Sequence, residues 1–354
     1  MTGVAGRRVF LSSDAVGGVW TYSHDLAREL SARGATVTLA LLGPVADDLP
    51  TPPGMAVLRT GLLLDWTAAD PAALADAGTR LAAIAREAAP DIVHLHAPAL
   101  LAAGEWPRPA VTVAHSCVAT WWRAVRCGAL PADLAWRHAA TAAGLRRADL
   151  VLAPSQAFAD DLRAVHGARL AVQVVLNGSD PTTSAAATPS RAVLAAGRLW
   201  DEGKGMAALD AAAALLDAPV LAAGAVAGPN GVEIQLRHMQ PLGALSSAAL
   251  RARMAATKVF ASPSCYEPFG LAVLEAAQAG MTLVLADIPS FRELWDGCAI
   301  FADPRDPAGF AAALRAALDG SGALGAQERA RRYTLAGMVD ATLAAHRGVL
   351  QIAA

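Results

Sequence analysis

Lysine is almost missing from this chain. Only Lys204 and Lys258 are lysines among 29 basic residues, and the other 27 are arginines. A Schiff base with pyridoxal phosphate needs a suitably placed lysine, so that cofactor is disfavoured. Glutamate is also scarce, at nine of 31 acidic residues. Charged residues make up 17% of the chain and the net charge is −2, which gives no general attraction to nucleic acid or anionic lipid. The four cysteines, Cys117, Cys127, Cys265 and Cys298, form no C-x-x-C pair. Free thiols in a cytosolic protein are therefore expected rather than a disulfide framework. No run of 18 strongly apolar residues occurs, because Asp217 and Pro219 break the nearest candidate. "MTGVAGRRVFLSS" lacks the apolar core and cleavage site of a secretory signal. There is no Asp-x-Asp pair to hold a nucleotide-bound cation, and the glycine pair after the first expected strand, Gly17-Gly18, is not a G-x-G-x-x-G fingerprint.

What is present is alternation. At 354 residues and 55% apolar content, much of it alanine, the chain exceeds a single core and suggests two domains. "RVFLSS", "ATVTLALL", "DIVHLHA", "AVTVAHS", "ADLVLAPS" and "AVQVVLN" have strand character. Helical spacing separates them near 18–33, 71–88, 131–147 and 155–166. The Asn-, Gly-, Ser-, Thr- and Pro-rich stretch 177–190 has the composition of a linker. The pattern then restarts with "RAVLAAGR", "APVLAAG", "VEIQ", "KVFASPS", "MTLVLAD" and "CAIFAD", and with helices near 204–216, 246–255, 271–280 and 306–319. The last 20 residues are helical in pattern. Two successive α/β units with parallel sheets follow. Ligands of such sheets sit beyond the C-terminal strand ends, so the expected site is a cleft between the units.

Most of the unusual polar residues fall after expected strands. In "SCYEPFGLAVLEAAQAG", Glu267 precedes a Pro-Phe-Gly turn and Glu275 lies in the first turns of the helix beyond it. The backbone N–H groups of Phe269, Gly270 and Leu271 could serve an anion or sugar hydroxyls at that helix start. Arg198 and Lys204, in "AAGRLWDEGKG", could bracket a diphosphate or form a surface pair with Asp201 and Glu202. Gly17 and Gly18 precede a helix and permit close backbone approach. His115 ends a strand, where it is as readily a cleft residue as a structural one. His94 and His96 share a strand face, but no nearby acid or cysteine completes a metal set.

In this order the pieces resemble the retaining GT-B glycosyltransferases of family 4, across essentially the whole chain. The motifs are Gly17-Gly18, His115, "LAPSQAFADDL", "NGSD", "AAGRLWDEGKG", "PLGAL" and the E-x7-E element from Glu267 to Glu275. The resemblance implies two Rossmann-like domains, 1–177 and 178–334, facing a central cleft. A C-terminal helix at about 335–354 would cross back to the N-terminal domain. It implies that Arg198 and Lys204 hold the diphosphate of a nucleoside-diphosphate sugar and that Glu275 binds ribose. Glu267 and the backbone of Phe269, Gly270 and Leu271 would hold the sugar. Gly18, beside Gly17, would approach the diphosphate, and His115 would touch the sugar near the reacting centre. "PLGALSS" would lie near the base. No cofactor or metal ion is implied. The acceptor, a saccharide, lipid-linked or small molecule, would meet the N-terminal domain, where Trp20, Trp121 and Trp122 are candidate contacts. A cytoplasmic protein, at most peripheral at the inner face of the membrane, is expected. The rival readings are a nucleotide-sugar epimerase or hydrolase of the same fold and a non-catalytic relative. One departure stands out: the Arg198-to-Lys204 spacing is one residue longer than the commonest form.

Overall fold

A computed structural model describes residues 4–14, 17–43, 45, 55–126, 128–181, 188–228, 231–322 and 325–353. Cys127 and positions 182–187 of the expected linker lie outside the described residues. The chain divides into two compact units, residues 1–177 with 335–354 and residues 178–334.

The first unit runs β1 (Arg8–Asp14), α1 (Gly17–Ala32), β2 (Thr36–Leu42), β3 (Ala56–Arg59), α2 (Pro71–Glu87), β4 (Ile92–Leu95), β5 (Ala110–Val113), α3 (Val118–Val125), α4 (Ala135–Arg147), β6 (Leu150–Ala153), α5 (Gln156–His166) and β7 (Val172–Val174). Among the described residues these strands form a parallel seven-stranded sheet in the order β3-β2-β1-β4-β5-β6-β7. Helices begin where side chains can satisfy free N–H groups. Asp70 accepts from Ala73 N–H at 2.8 Å with Pro71 as the first helical residue, and Ser155 accepts from Phe158 N–H at 3.1 Å. The central strands are buried on both faces, as their uninterrupted apolar runs require.

The second unit runs β8 (Ser190–Ala196), α6 (Met206–Ala213), β9 (Val220–Ala223), β10 (Gln240–Gly243), α7 (Ser247–Ala255), β11 (Thr257–Ser262), α8 (Leu271–Gln278), β12 (Thr282–Ala286), α9 (Pro289–Trp295), β13 (Ile300–Ala302), α10 (Pro307–Leu318) and α11 (Ala326–Ala330). Its parallel sheet has six strands among the described residues, in the order β10-β9-β8-β11-β12-β13. The final helix, α12 (Leu335–Ala353), contributes Leu335, Met338, Val339, Leu343, Ala345 and Val349 to the first unit's core, beside Leu26 and Leu30 of α1. Its Thr342 bonds Tyr22 of α1.

The doubly wound α/β architecture agrees with the sequence reading, but several details differ. "VEIQ" is not a strand: Glu233 makes one isolated antiparallel bridge to Ala227. The edge strand is β10 instead, which contains Pro241. A sheet edge tolerates that residue because no ladder partner needs its missing N–H. The strand β3 and the helices α3, α9 and α11 span only four to eight residues each, too short for a periodic pattern to stand out. The helix expected near 204–216 is shorter, since a 3₁₀ turn occupies Glu202–Lys204.

Candidate active site

Each sheet reverses its strand order once, between β1 and β4 in the first unit and between β8 and β11 in the second. The crevice beyond such a reversal is where doubly wound sheets bind ligands. Arg198, Lys204 and Glu267 all follow the C-terminal ends of β8 or β11.

Lys204 Nζ donates to Glu267 Oε2 at 2.6 Å, with both side chains mostly shielded from solvent. Gly205 makes the approach possible. It sits at φ +66°, and a Cβ there would fall 2.2 Å from the Pro263 carbonyl oxygen. Asp201 Oδ1 accepts from Gly203 N–H at 2.9 Å and caps the 3₁₀ turn that brings the chain to Lys204. Lys204 therefore closes a 3₁₀ turn rather than opening a helix. Lys258, the other lysine, donates to the Leu318 carbonyl at 2.6 Å. Arg198 is about half exposed and meets Asp201 Oδ2 at 3.0 Å, its guanidinium 5.9 Å from the Trp200 ring.

Glu267 is fixed through its backbone as well, its carbonyl accepting from Ser290 Oγ. Gly270 immediately precedes α8 at φ +91°, with Phe291, Glu267 and Val273 crowding the space a Cβ would take. Phe269 turns its ring into the core, edge-on to Tyr333 at 5.8 Å, so only its backbone is left for a ligand. Leu271 opens α8, and Glu275 is half-buried in its second turn.

Asp210 gave no signal in the sequence. It lies buried on α6 and accepts from the N–H groups of Arg237, His238 and Met239 at 2.9–3.0 Å. Burial works against its charge, but these backbone bonds outweigh it and hold the carboxyl below its usual range. The segment entering β10 and "PLGALSS" is anchored there.

In the first unit Gly17 and Gly18 are exposed at the start of α1. Trp20 is half-buried, 5.4 Å from the His24 ring. Trp121 and Trp122 lie on α3 with ring centroids 6.3 Å apart. His115 lies two residues beyond β5 and is half-buried.

His115 is not alone. His96 Nδ1 is 3.0 Å from His115 Nε2, and His94 Nδ1 is 2.8 Å from His346 Nε2 of α12. The His94 and His96 rings are 5.0 Å apart, and Tyr22 packs edge-on against His96 and His115 at 5.2 and 4.8 Å. Burial pushes all four imidazoles down, His115 and His346 to about 4, so the cluster is neutral near pH 7. Both histidines of the "HLH" stretch are thus engaged with other imidazoles. The one-face alternation of a strand made their proximity legible, but nothing local pointed to His346, 252 residues from His94.

No helix among the described residues is long and apolar enough to cross a membrane. A family model described as Glycosyltransferase Family 4 matches residues 16–183, and one described as Glycosyl transferases group 1 matches residues 190–320. Glycogen synthase of Mycobacterium tuberculosis is 29% identical over 370 aligned positions, covering 92% of this chain and 88% of that protein. Sucrose-phosphate synthase from Thermosynechococcus elongatus has a similar structure, with a TM-score of 0.81 at 17% identity over 98% of this chain and 100% of that one. Anabaena HepE, in complex with UDP and glucose, gives 0.70 at 20% identity over 97% and 99%. The chain belongs to the retaining GT-B glycosyltransferases of family 4, enzymes that move a sugar from a nucleoside-diphosphate donor to an acceptor.

Proposed function

We propose that this protein transfers a hexosyl group from a nucleoside-diphosphate hexose to a saccharide acceptor, with Arg198 and Lys204 supplying the positive charge that the departing diphosphate needs. The Lys204–Glu267 pair beyond the β8/β11 reversal carries the reading. It places a cation and a polyol-binding carboxylate side by side where a doubly wound sheet takes its ligand. The glycogen synthase relative supports a saccharide acceptor.

In this reading the bond between the anomeric carbon and the β-phosphate oxygen breaks, and negative charge gathers on that phosphate. Lys204, Arg198 and the N-terminal end of α8 stabilise that charge. Glu267 holds the sugar hydroxyls and keeps Lys204 in place, while Glu275 takes the ribose hydroxyls. Gly17 and Gly18 let backbone approach the diphosphate. The acceptor oxygen bonds to the anomeric carbon on the face the diphosphate leaves, and its proton passes to the leaving phosphate oxygen. Charge compensation by these side chains asks nothing of a metal ion. Trp20, Trp121 and Trp122 offer faces for acceptor sugars on the first unit. We place the reaction in the cytoplasm, with any membrane contact peripheral.

The test is thermal stability against UDP-, GDP-, ADP- and dTDP-linked sugars, followed by assay of diphosphate release. A ligand at 100 times its dissociation constant stabilises the fold by about 2.7 kcal/mol. One nucleotide should raise the melting temperature, and Arg198→Ala should abolish the rise. No shift with any donor would overturn the proposal.

A further inference from the structure

His96 is buried, its backbone N–H donates to Ser12 Oγ of β1 at 3.2 Å, and its Nδ1 reaches His115 Nε2 at 3.0 Å. Its other nitrogen, Nε2, is buried without a hydrogen-bond partner. A neutral imidazole carries one proton, so the proton of this pair has two possible homes. If His96 held it on Nε2, a buried N–H would face no acceptor. With the proton on Nδ1, Nε2 is left only a bare lone pair, the lesser penalty, because orphaned buried donors are the rarer case. His94 repeats the pattern, with Nδ1 bonded to His346 and Nε2 buried and unpartnered.

The groups packed around the pair are Tyr22 of α1, Ser12 of β1, His94 of β4 and, through Tyr22 and His94, Thr342 and His346 of α12. Among the described residues no carboxylate is hydrogen-bonded to any of the four rings, so nothing compensates a second proton. His96 therefore donates from Nδ1 and His115 accepts at Nε2. The remaining proton of His115 sits on Nδ1, which has no partner among the described residues.

We propose that His96 is a positioning residue that fixes His115 as its Nδ1–H tautomer, so that His115 serves the transferred sugar as a neutral hydrogen-bond donor and not as a general base. The proposal rests on the reading of His115 as a contact of the donor sugar. It makes the polarity of His115 a property of its buried neighbour.

The test uses the full chain labelled with ¹⁵N at histidine, with His115 assigned from the resonances lost in His115→Gln. Long-range nitrogen–proton spectra show which ring nitrogen carries the hydrogen, with or without ligand. The expected result in the wild type is a proton on Nδ1; a proton on Nε2 overturns the proposal whatever the activity. Two isosteric variants then separate donation from shape. The amide of His96→Asn still donates to His115 Nε2, whereas His96→Leu, of similar shape to Asn, has no donor there and frees the His115 proton to move to Nε2. UDP-glucose affinity should stay within about threefold in His96→Asn and weaken by about tenfold or more in His96→Leu. Equal affinities in the two variants also overturn it. If UDP-glucose leaves every histidine resonance of the wild type unmoved while Nδ1 carries the proton, the donor contact is overturned and the tautomer assignment stands.

Discussion

The two sheet reversals are built from opposite electrostatic materials. The second unit gathers full charges there, Lys204 against Glu267 and Arg198 against Asp201. The first unit gathers four imidazoles that burial keeps neutral, around a tyrosine whose hydroxyl burial pushes up to about 12. A site for a diphosphate must neutralise charge, and fixed cations do that best in a shielded crevice. A contact for sugar hydroxyls needs direction instead, which neutral donors and acceptors supply without the desolvation cost of burying ions. On our reading of the site, the same topology serves two tasks because the loops differ and the scaffold does not.

Breaking the charged side should have the largest effect. Lys204→Ala and Glu267→Ala are each expected to lower kcat/KM about a hundredfold, near 2.7 kcal/mol of transition-state stabilisation. The double variant should fall well short of the summed losses, because each residue alone leaves the other unpaired. Steady-state rates with the donor found in the thermal screen measure the cycle, and strictly additive losses would show that the two act separately.

The support beneath that pair comes next. Gly205→Ala forces a side chain into a left-handed backbone position and against the Pro263 carbonyl. A cost of about 1–3 kcal/mol in urea unfolding is expected, with a parallel loss of activity. A stable, fully active variant would mean that the turn does not need its present shape.

Acid should separate the two units. An unfolded histidine takes up a proton near pH 6.5, whereas folded His115 and His346 resist protonation down to about pH 4. Between those values the unfolded chain binds more protons, so this contribution to stability is full above pH 6.5 and falls as the pH drops toward 4. Asp210, whose pKa is depressed below the usual 3.8, keeps its contribution above that value and loses it only in stronger acid. Hydrogen exchange across this range should show β4, β5 and α12 losing protection before β8 and β9. Simultaneous loss would remove the distinction.

The smallest effect sharpens the comparison from outside the site. Arg292 bonds Asp287 at 2.7 Å and Asp296 at 3.0 Å on the surface of the second unit, and it holds the Asp287 carboxyl down. Arg292→Ala should leave the unfolding midpoint within experimental scatter, because exposed pairs trade one hydration for another. A clear drop would mean that charge stabilises the second unit generally and not only at its site.

Much of this molecule was legible because its signals are local. A strand buried on both faces must be an apolar run, so β1, β2, β8, β11 and β12 are visible in the chain. Helices such as α2 and α5 announce themselves by Asp70-Pro71 and Ser155 at their starts. Glu267 and Glu275 stand out because a Pro-Phe-Gly turn after a strand is a poor place for ordinary helix residues. Where the signal was short or non-local, reading failed. "VEIQ" has strand composition, but the chain there passes as an irregular loop, and the edge position went to a proline-bearing segment that composition argues against. The roles of Asp210 and His346 depend on partners that the chain brings near only after folding.

Sequence alone determined the α/β alternation, the two-unit plan and the residue types at each strand end, since periodicity and turn chemistry act over a few residues. Tertiary structure decided which of those residues meet. It paired Lys204 with Glu267 across 63 positions, set His115 against His96, and brought α12 onto the first unit's core. The physical reason is that parallel sheets join strands far apart in sequence. Hydrogen-bond partners and burial at their ends exist only once the strand order does.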